Sequence, residues 1–535
     1  MKRGLGAAPL LLLWALPLLA GLALPLIQSA SGEAWGALFA HPQLWPALML
    51  SLWTATAGTA AALLCTLIIM AGFHRSGHWL GWRDTATLGL ALPHLAFAIG
   101  FGFLIMPSGW LARLLVGGDA PPQWLTTQDP LGLSLIAVLV LKEIPFFLAM
   151  AVAVLSRGDA AVALDGQWRS ARSLGHGPGS VWLRVILPQL LARLIWPIAA
   201  VWAYGATVVD MALVIGPTQP PPLAVIVWRD LNDAAFAVNQ RGLAGAVFLT
   251  LALGVFAAGA AVIFAGLGRM SRGLMVRGPS TLAQPRATAT LVLGLTALAY
   301  LATAAILLVM SLAPRWPYPA LWPAAFGLAA WQQLASAPAA MVLSIALALT
   351  SSVAATVLAV LWFETQTPTN DRLITGLALV ALGLPQLVTA AGQYILFLDL
   401  GLTASLPGLF LAHLTPVLAY VIIVLAGPYR ALDPRYAAVA RALQSGAVST
   451  WWRVKAPLLK KPLLTALAAG FSVSMVQFVP AQLVAAGRFA TLPMEAVTLA
   501  SGGDRPLTAA YAFALALPPL IVFALAGLLG RSRWR

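Results

Sequence analysis

Four ionisable side chains lie inside long apolar stretches of this chain, where a charge is costly. Lys142 and Glu143 are adjacent in one stretch, His94 follows a proline in another, and Asp210 lies near the end of a third. An ionisable group at the centre of a membrane span costs about 2.5 to 3.5 kcal/mol on insertion scales, so it normally faces a cavity or a partner. Because neighbours cannot share one helical face, we expect Lys142 or Glu143 to face a polar pathway or another helix. The alternative is a structural pair, or a lysine that reaches the interface.

A polar residue follows a Leu-Pro pair at two corresponding places. The sequence Leu92-Pro93-His94-Leu95, followed by Gly100, matches Leu384-Pro385-Gln386-Leu387, followed by Gly392. A proline inside a span removes a backbone donor and bends the helix. We therefore predict that His94, Gln386 and Asp210, with Lys142 and Glu143, are candidate pathway residues. The alternative for each is a satisfied interhelical hydrogen bond.

The sequence contains no constellation typical of an enzyme or of a nucleotide site. A phosphate-binding loop needs Gly-Lys-Ser/Thr, and no lysine of this chain follows a glycine. Catalytic acid, base and nucleophile must converge in one site, whereas the six His and sixteen acidic residues are scattered. We expect no enzymatic activity, no cofactor and no metal site in this chain. A membrane-embedded enzyme is the least favoured alternative.

One polar segment occurs twice, about half a chain length apart, and we call residues 163–188 loop A and residues 431–457 loop B. Ala163-Leu164-Asp165 recurs as Ala431-Leu432-Asp433, and Trp182-x-Arg184-Val185-x-x-Pro188 recurs as Trp451-x-Arg453-Val454-x-x-Pro457. Between these, Ala171-Arg172-x-Leu174, Gly177 and Ser180 recur as Ala440-Arg441-x-Leu443, Gly446 and Ser449. A shared docking partner explains a repeated polar segment most simply. The alternative is an ordinary basic loop.

Each loop is expected to begin with a polar turn at Asp165 or Asp433, form a short helix and break near Gly177 or Gly446. It then resumes before a proline that opens the next span. Two short helices of this kind offer an apolar knob with basic flanks to the groove of a partner.

The composition is that of a membrane protein. Hydrophobic residues make up 61% and charged residues 9% of the 535 residues, against about 25% charged residues in soluble domains. A helix needs roughly 20 apolar residues to cross the hydrocarbon core. Twelve stretches meet this requirement: approximately 7–28, 47–71, 86–107, 131–155, 188–214, 242–268, 288–312, 339–363, 373–398, 404–427, 460–485 and 508–530.

These stretches form two similar halves. We predict a first half at 1–268, an Arg-rich cytoplasmic linker at 269–287 and a second half at 288–535, each half with six spans. Six is an even number, so both halves have the same orientation and form a parallel repeat. Leu50-Ser51-Leu52 matches Leu343-Ser344-Ile345, and Pro145 matches Pro416. The fold class is therefore all-α and polytopic.

The net charge of +15 indicates membrane orientation rather than nucleic-acid binding. Most Lys and Arg fall on one side if the N-terminus is inside, and the positive-inside rule then places both termini in the cytoplasm. The only cysteine, Cys65, lies in the second stretch, so no intramolecular disulfide forms. Membrane lipid is the expected surrounding, and a nucleic-acid partner is not expected.

The loops resemble the signature loop of permeases of ATP-binding-cassette (ABC) importers, whose consensus runs Glu-Ala-Ala, three residues, Gly, nine residues, then Ile-x-Leu-Pro. In loop A, Ala171, Gly175, Val185, Leu187 and Pro188 fall on that spacing, and in loop B, Ala440, Val454 and Pro457 do. Over its whole length the chain resembles the fused double permeases of the iron(III) and thiamine importer group, which are type I, binding-protein-dependent permeases.

That resemblance implies partners and a location. It implies a separate cytoplasmic ATPase, in two copies, that binds ATP and meets both loops, an extracytoplasmic binding protein that delivers a small solute, and the bacterial inner membrane. Site residues implied for coupling are Asp165, Arg169, Ala171, Arg172, Leu174, Gly175, Gly177, Pro188, Asp433, Ala440, Arg441, Leu443, Gly446 and Pro457. Arg169 and Ala438 replace the consensus Glu, so we expect a dedicated ATPase partner.

The chief alternative is a twelve-span secondary transporter driven by an ion gradient, which would also have parallel halves. It does not explain a polar loop repeated between spans four and five of each half. The sequence does not identify the solute, because the candidate pathway residues suit a metal complex, an anion or a small organic cation equally.

Overall fold

The computed structural model describes residues 7–74, 89–116, 118–156, 158–275, 280–442 and 446–530, and the regular structure in these ranges is helical. Nine helices in the described ranges are long and apolar enough to cross a membrane, and three bent helix pairs bring the number to as many as twelve. We number them as spans 1 to 12 in chain order. Spans 1, 9 and 11 are the bent pairs Leu12–Gln28 with Gly32–Phe39 (85°), Thr369–Gly383 with Gln386–Asp399 (104°) and Lys460–Met475 with Val479–Ala485 (60°). The others are Leu44–Phe73, His94–Leu115, Leu133–Leu155, Pro178–Thr207, Phe236–Val262, Arg286–Leu312, Ala339–Thr365, Leu406–Ala431 and Arg505–Leu529.

The all-helical, two-repeat fold predicted from the sequence is confirmed, but several spans are interrupted where one continuous helix was expected. Span 3 was expected from residue 86, and its helix starts at His94, after Pro93. Span 9 bends at the corresponding Pro385. Span 5 ends at Thr207, and a short helix, Asp210–Ile215, follows it. Span 11 is broken at the equivalent place, before Val479. The interruptions therefore follow the repeat.

A serine near the start of the second helix of each half shows the same repeat at atomic level. The Ser51 hydroxyl in span 2 accepts a hydrogen bond from the backbone N–H of Leu223 at 2.8 Å. The Ser344 hydroxyl in span 8 accepts one from the N–H of Leu492, also at 2.8 Å. Leu223 and Leu492 begin the matching helices Leu223–Leu231 and Leu492–Ala500. Each serine satisfies a helix N-terminal donor that has no partner in its own helix.

The first span of each half packs into the other half. Span 1 lies against span 9, where a Cβ on Gly392 would meet the carbonyl oxygen of Gly21 at 2.4 Å. The Trp14 indole N–H also donates to the carbonyl of Thr415, in span 10, at 2.8 Å. Span 7 in turn lies against span 3, where a Cβ on the matching Gly100 would meet Leu307 at 2.6 Å. The two halves defined by the sequence repeat are thus interlocked in packing.

In the segments opposite loops A and B, Arg113 joins the two halves by several hydrogen bonds. Arg113, 5% exposed, donates to the carbonyls of Ser108 (3.0 Å) in the first half and of Trp316 (3.0 Å), Pro317 (2.9 Å) and Ala320 (2.5 Å) in the second. Its guanidinium also lies 4.7 Å from the centre of the Trp316 ring. A guanidinium has enough donors to serve several carbonyls at once.

Candidate functional site

Loop A is a helical hairpin supported by the membrane helices. A helix over Gly158–Ser173 is followed by a turn in which Gly175 has φ +86°, a conformation that favours glycine. The chain then enters the helix of span 5 at Pro178. Three large buried side chains of the loop, Leu164, Trp182 and Ile186, pack in one cluster with residues of spans 2 and 4. The position of the hairpin is therefore coupled to both spans by apolar packing.

The other side of loop A is polar and accessible. Arg169 pairs with Asp165, one turn earlier, at 2.6 Å, and Arg172 donates to the carbonyl of His176 at 2.7 Å. Leu174, at the tip, is 70% exposed. A groove of about 750 Å³ lies between the two arms of the hairpin. Its lining includes Ala163, Gln167, Ala171, Leu174, Val181 and Arg184.

Loop B has the same order of elements. Asp433 precedes the helix Pro434–Ala442 and accepts a hydrogen bond from the Arg435 N–H at 2.9 Å. Gly446 precedes the helix Ala447–Thr450, and Ala440 is buried, like Ala171. Leu443 and the side chain of Arg441 lie outside the described residues.

An ion pair ties loop B to the end of span 8, where loop A uses apolar packing. The Lys455 ammonium contacts both carboxylate oxygens of Glu364, at 2.6 and 2.9 Å. The residue of loop A that matches Lys455 is Ile186, which is fully buried in the cluster described above.

Two local expectations for the loops are wrong. Asp165 lies inside the helix Gly158–Ser173 rather than in a turn, whereas Asp433 does open a helix. Pro188 does not open span 5, because that helix begins at Pro178 and continues past it to Thr207. A π-helical turn over Trp182–Ile186 precedes the proline, and the Leu187 N–H bonds to the carbonyl of Trp182. A wide turn accommodates a residue without N–H. Pro457 likewise follows a π-helical turn, Trp451–Lys455.

Within the spans, Lys142 and Glu143 both contact the interruption before span 3. The Lys142 ammonium is 2% exposed and donates to the carbonyls of Gly89 (2.9 Å) and Leu92 (2.7 Å). A helical carbonyl at position 89 normally accepts from the N–H at position 93, which is proline and has none. Lys142 therefore supplies the Gly89 carbonyl with the one donor that Pro93 removes and also donates to the Leu92 carbonyl, and its positive charge suits a helix C-terminus.

Glu143 belongs to a second group, which we call the polar cluster: His94, Glu143, Tyr204, Asp210 and Tyr420. The His94 Nε2 lies 3.2 Å from Glu143 Oε1, and the rings of His94 and Tyr204 are 5.1 Å apart. The Asp210 carboxyl interacts electrostatically with His94, and Tyr204 with Asp210, Glu143 and Tyr420. Tyr420 comes from the second half and is 40% exposed. The polar cluster thus combines side chains of both halves.

The second half keeps polar side chains at two of the matching positions, Gln386 and His413, whereas Leu414 and Val479 occupy the positions of Glu143 and Asp210. Gln386, which corresponds to His94, donates to the side-chain oxygen of Gln477 at 3.4 Å. His413, which corresponds to Lys142, is 1% exposed and contacts the hydroxyl of Ser474 at 2.8 Å. Of the predicted pathway residues, the structure brings His94 and Glu143 into contact and places Asp210 within electrostatic range of His94. Lys142 and Gln386 lie in separate contacts.

One known protein is similar to this chain over nearly its whole length. Over 542 aligned positions, the chain is 31% identical to the inner membrane ABC transporter permease protein YnjC of Escherichia coli (strain K12), and the alignment spans 99% of this chain and 98% of that protein. The chain belongs to the ABC transporter permeases. No protein-family model matches it.

Two shorter relatives match parts of this permease. The molybdenum transport system permease protein ModB of Mycobacterium tuberculosis is 28% identical over 254 residues, which span 45% of this permease and 92% of the relative. The spermidine/putrescine transport system permease protein PotC of Haemophilus influenzae is 23% identical over 163 residues, 30% of this permease and 63% of the relative. Nearly the whole of ModB thus aligns with 45% of this permease. This agrees with the division of this permease into two repeats, each about half of the chain.

Sequence reasoning missed three polar residues of the permease: Tyr204 and Gln477, which contact predicted residues, and Tyr420, which interacts electrostatically with Glu143. Each lies in a predicted span, and a polar group in an apolar span was the signal that could have found them. Tyrosine is also found at membrane interfaces, so residue type alone does not separate a Tyr at the end of a span from one that borders an internal space.

Proposed function

We propose that this permease is the membrane subunit of an ATP-driven importer, in which loops A and B each bind one copy of a separate ATPase. The observation that carries the proposal is the repeated loop, found in a chain that aligns over its full length with an ABC transporter permease. An extracytoplasmic binding protein delivers the solute, and the chain lies in the inner membrane with both termini in the cytoplasm. Because both halves are fused, we assign it to the fused double permeases that the iron(III) and thiamine importer group exemplifies.

Continuity of the helix that leaves loop A supports mechanical coupling. This helix runs from Pro178 to Thr207, through the π-helical turn at Trp182–Ile186, and so reaches from the loop to Tyr204 in the polar cluster. Because the backbone is helical along this whole stretch, a displacement of loop A is transmitted toward Tyr204. Closure of an ATPase dimer would draw loops A and B together, and rocking of the halves would open the pathway outward to accept the solute.

The polar cluster is the best candidate for the lining of that pathway. It combines groups from both halves, as a pathway between pseudosymmetric repeats requires. Residues His94 and Tyr420 are accessible although they lie within spans whose other faces are packed. Lys142, in contrast, donates hydrogen bonds to two backbone carbonyls. We therefore infer that it stabilises the interrupted backbone before span 3 and does not line the pathway.

A pull-down with the affinity-tagged permease tests the proposal. Leu174 is exposed at the tip of loop A, and Leu443 is its sequence counterpart. We expect the double substitution Leu174→Asp and Leu443→Asp to abolish co-purification of the ATPase, because a charge in an apolar contact costs several kcal/mol unless paired. The control is Leu125→Asp, an exposed leucine in the connection between spans 3 and 4, on the opposite side of the protein. Undiminished co-purification with the double variant would contradict the proposal.

A further inference from the structure

Loops A and B share sequence and backbone conformation, but within the described residues another segment of the chain covers loop A and none covers loop B. Gly177 has φ −64° and ψ 156°, and its counterpart Gly446 has φ −64° and ψ 159°. The end of the linker between the halves, residues 280–284, lies directly against Gly177. A Cβ placed on Gly446 meets nothing within 4 Å. We call residues 280–284 the latch.

Backbone hydrogen bonds hold the latch on loop A. The Gly177 N–H donates to the carbonyl of Ser280 at 2.6 Å, and the Gly179 N–H to the carbonyl of Leu282 at 2.9 Å. Both donors lie at the start of a helix, where N–H groups have no partner within the helix, and no side chain caps this helix. The Gln284 side chain also donates to the carbonyl of His74, at the end of span 2, at 3.2 Å.

The sequence difference between the loops follows from this contact. A Cβ on Gly179 would lie 2.2 Å from the carbonyl oxygen of Ala283, and one on Gly177 would lie 2.6 Å from that of Leu282. Only glycine permits such an approach of backbone to backbone. In loop B, the position of Gly179 is occupied by Val448, whose side chain is 67% exposed. Loop B therefore carries a side chain where loop A carries the latch.

We propose that the latch and loop A form one composite surface for one ATPase subunit, whereas loop B meets the second subunit with its own residues. The inference rests on the proposed function. Residues 281–283 of the latch are exposed, including Leu282, and they extend the accessible side of loop A. The chain then enters span 7 at Arg286, and span 7 packs on spans 2 and 3. Two identical ATPase subunits are thus bound by two different surfaces, and the surface at loop A, which belongs to the first half, is joined through the latch to span 7 of the second half.

Cleavage of the linker by trypsin tests the latch without any partner. Gly177→Ala adds a methyl group that the latch excludes, and Gly446→Ala is the matched control, because it makes the same change at the same backbone conformation in loop B. We expect about a tenfold faster cut at linker arginines such as Arg286 in Gly177→Ala, because release of the latch breaks two backbone hydrogen bonds. The control should cut at the wild-type rate. Equal rates in both variants would overturn the latch.

A second pair of variants covers the case in which Gly177→Ala does not fold. Gly179→Ala introduces a similar collision with the latch two residues further along the chain. Its control is Gly166→Ala, because a Cβ on Gly166, in the preceding helix of loop A, meets nothing within 4 Å. Gly179→Ala should cut faster than wild type, and Gly166→Ala should not. The opposite order, or no difference, would count against the latch.

Photo-crosslinking tests the composite surface. A photoreactive residue at position 282 should crosslink to the ATPase, as should one at position 448 in loop B, and Gly177→Ala should abolish only the crosslink from 282. A crosslink from 448 without one from 282 would overturn the composite surface. If no ATPase binds the wild-type chain, the proposed function fails, and the trypsin result still decides whether the latch exists.

Discussion

Replacement of Lys142 by methionine tests whether this buried lysine supports the interruption before span 3. The change keeps an unbranched chain of four side-chain heavy atoms in place of five and removes the donors to Gly89 and Leu92. Each hydrogen bond from a charged group contributes about 1.5–3 kcal/mol, and loss of the buried charge recovers part of that through its desolvation cost. We expect Lys142→Met to lower the free energy of unfolding by about 2–4 kcal/mol, the difference between those opposing contributions.

A double-mutant cycle with Pro93 makes this prediction specific. Pro93→Ala restores an N–H that can donate to the carbonyl of Gly89, so Lys142→Met should cost about 1–2 kcal/mol less in the Pro93→Ala background. Lys142→Gln, which keeps N–H donors without the charge, should lie between wild type and Lys142→Met. Equilibrium unfolding of the purified permease in mixed micelles, with increasing SDS, measures all four variants and the wild type.

Two results would refute this reasoning. A loss below about 0.5 kcal/mol for Lys142→Met would mean that the carbonyls find other donors, since surface-like changes fall within that range. An equal loss with and without Pro93 would mean that the lysine does not replace the donor that proline lacks.

Three further predictions use the same unfolding measurement. Gly392→Ala places a methyl group against the backbone of span 1 and should lower the free energy of unfolding by about 1–3 kcal/mol. The control, Gly383→Ala, lies in open space in the same span and should be neutral or stabilising. Equal effects of the two changes would contradict the interlocked packing. Ser344→Ala leaves the Leu492 N–H without its acceptor and should lower the free energy of unfolding by about 0.5–2 kcal/mol. An unchanged free energy of unfolding would contradict the capping role of Ser344. Lys455→Glu should lower the free energy of unfolding. Adding Glu364→Lys to the same chain should restore most of that free energy, because the ion pair forms again with its charges exchanged. If the second change does not restore it, the ion pair is not the cause of the loss.

The architecture was largely predictable from the sequence because apolar length and repetition determine it. Twelve apolar stretches predicted the spans, and the repeat predicted parallel halves. The prolines Pro93 and Pro385 predicted bends where spans 3 and 9 are interrupted. The interruption of span 5 at Val208 and Val209 has no such signal, since neither glycine nor proline lies there.

Contacts between distant segments were not predictable in the same way. The hydrogen bond from Lys142 to Gly89 depends on how spans 3 and 4 pack. The position of Tyr420 near the polar cluster depends on how the two halves pack together. The difference between Gly179 and Val448 was visible in the sequence, but it gained meaning only when the structure placed the carbonyl of Ala283 against Gly179.

The stoichiometry of the complex tests the central claim most directly. Native mass spectrometry of the permease released from membranes should show two ATPase subunits per wild-type chain, one for the Leu174→Asp variant or the Leu443→Asp variant, and none for the double variant. A wild-type chain without bound ATPase, or an unchanged complex in the double variant, would contradict the account that loops A and B are the sites at which an external ATPase acts.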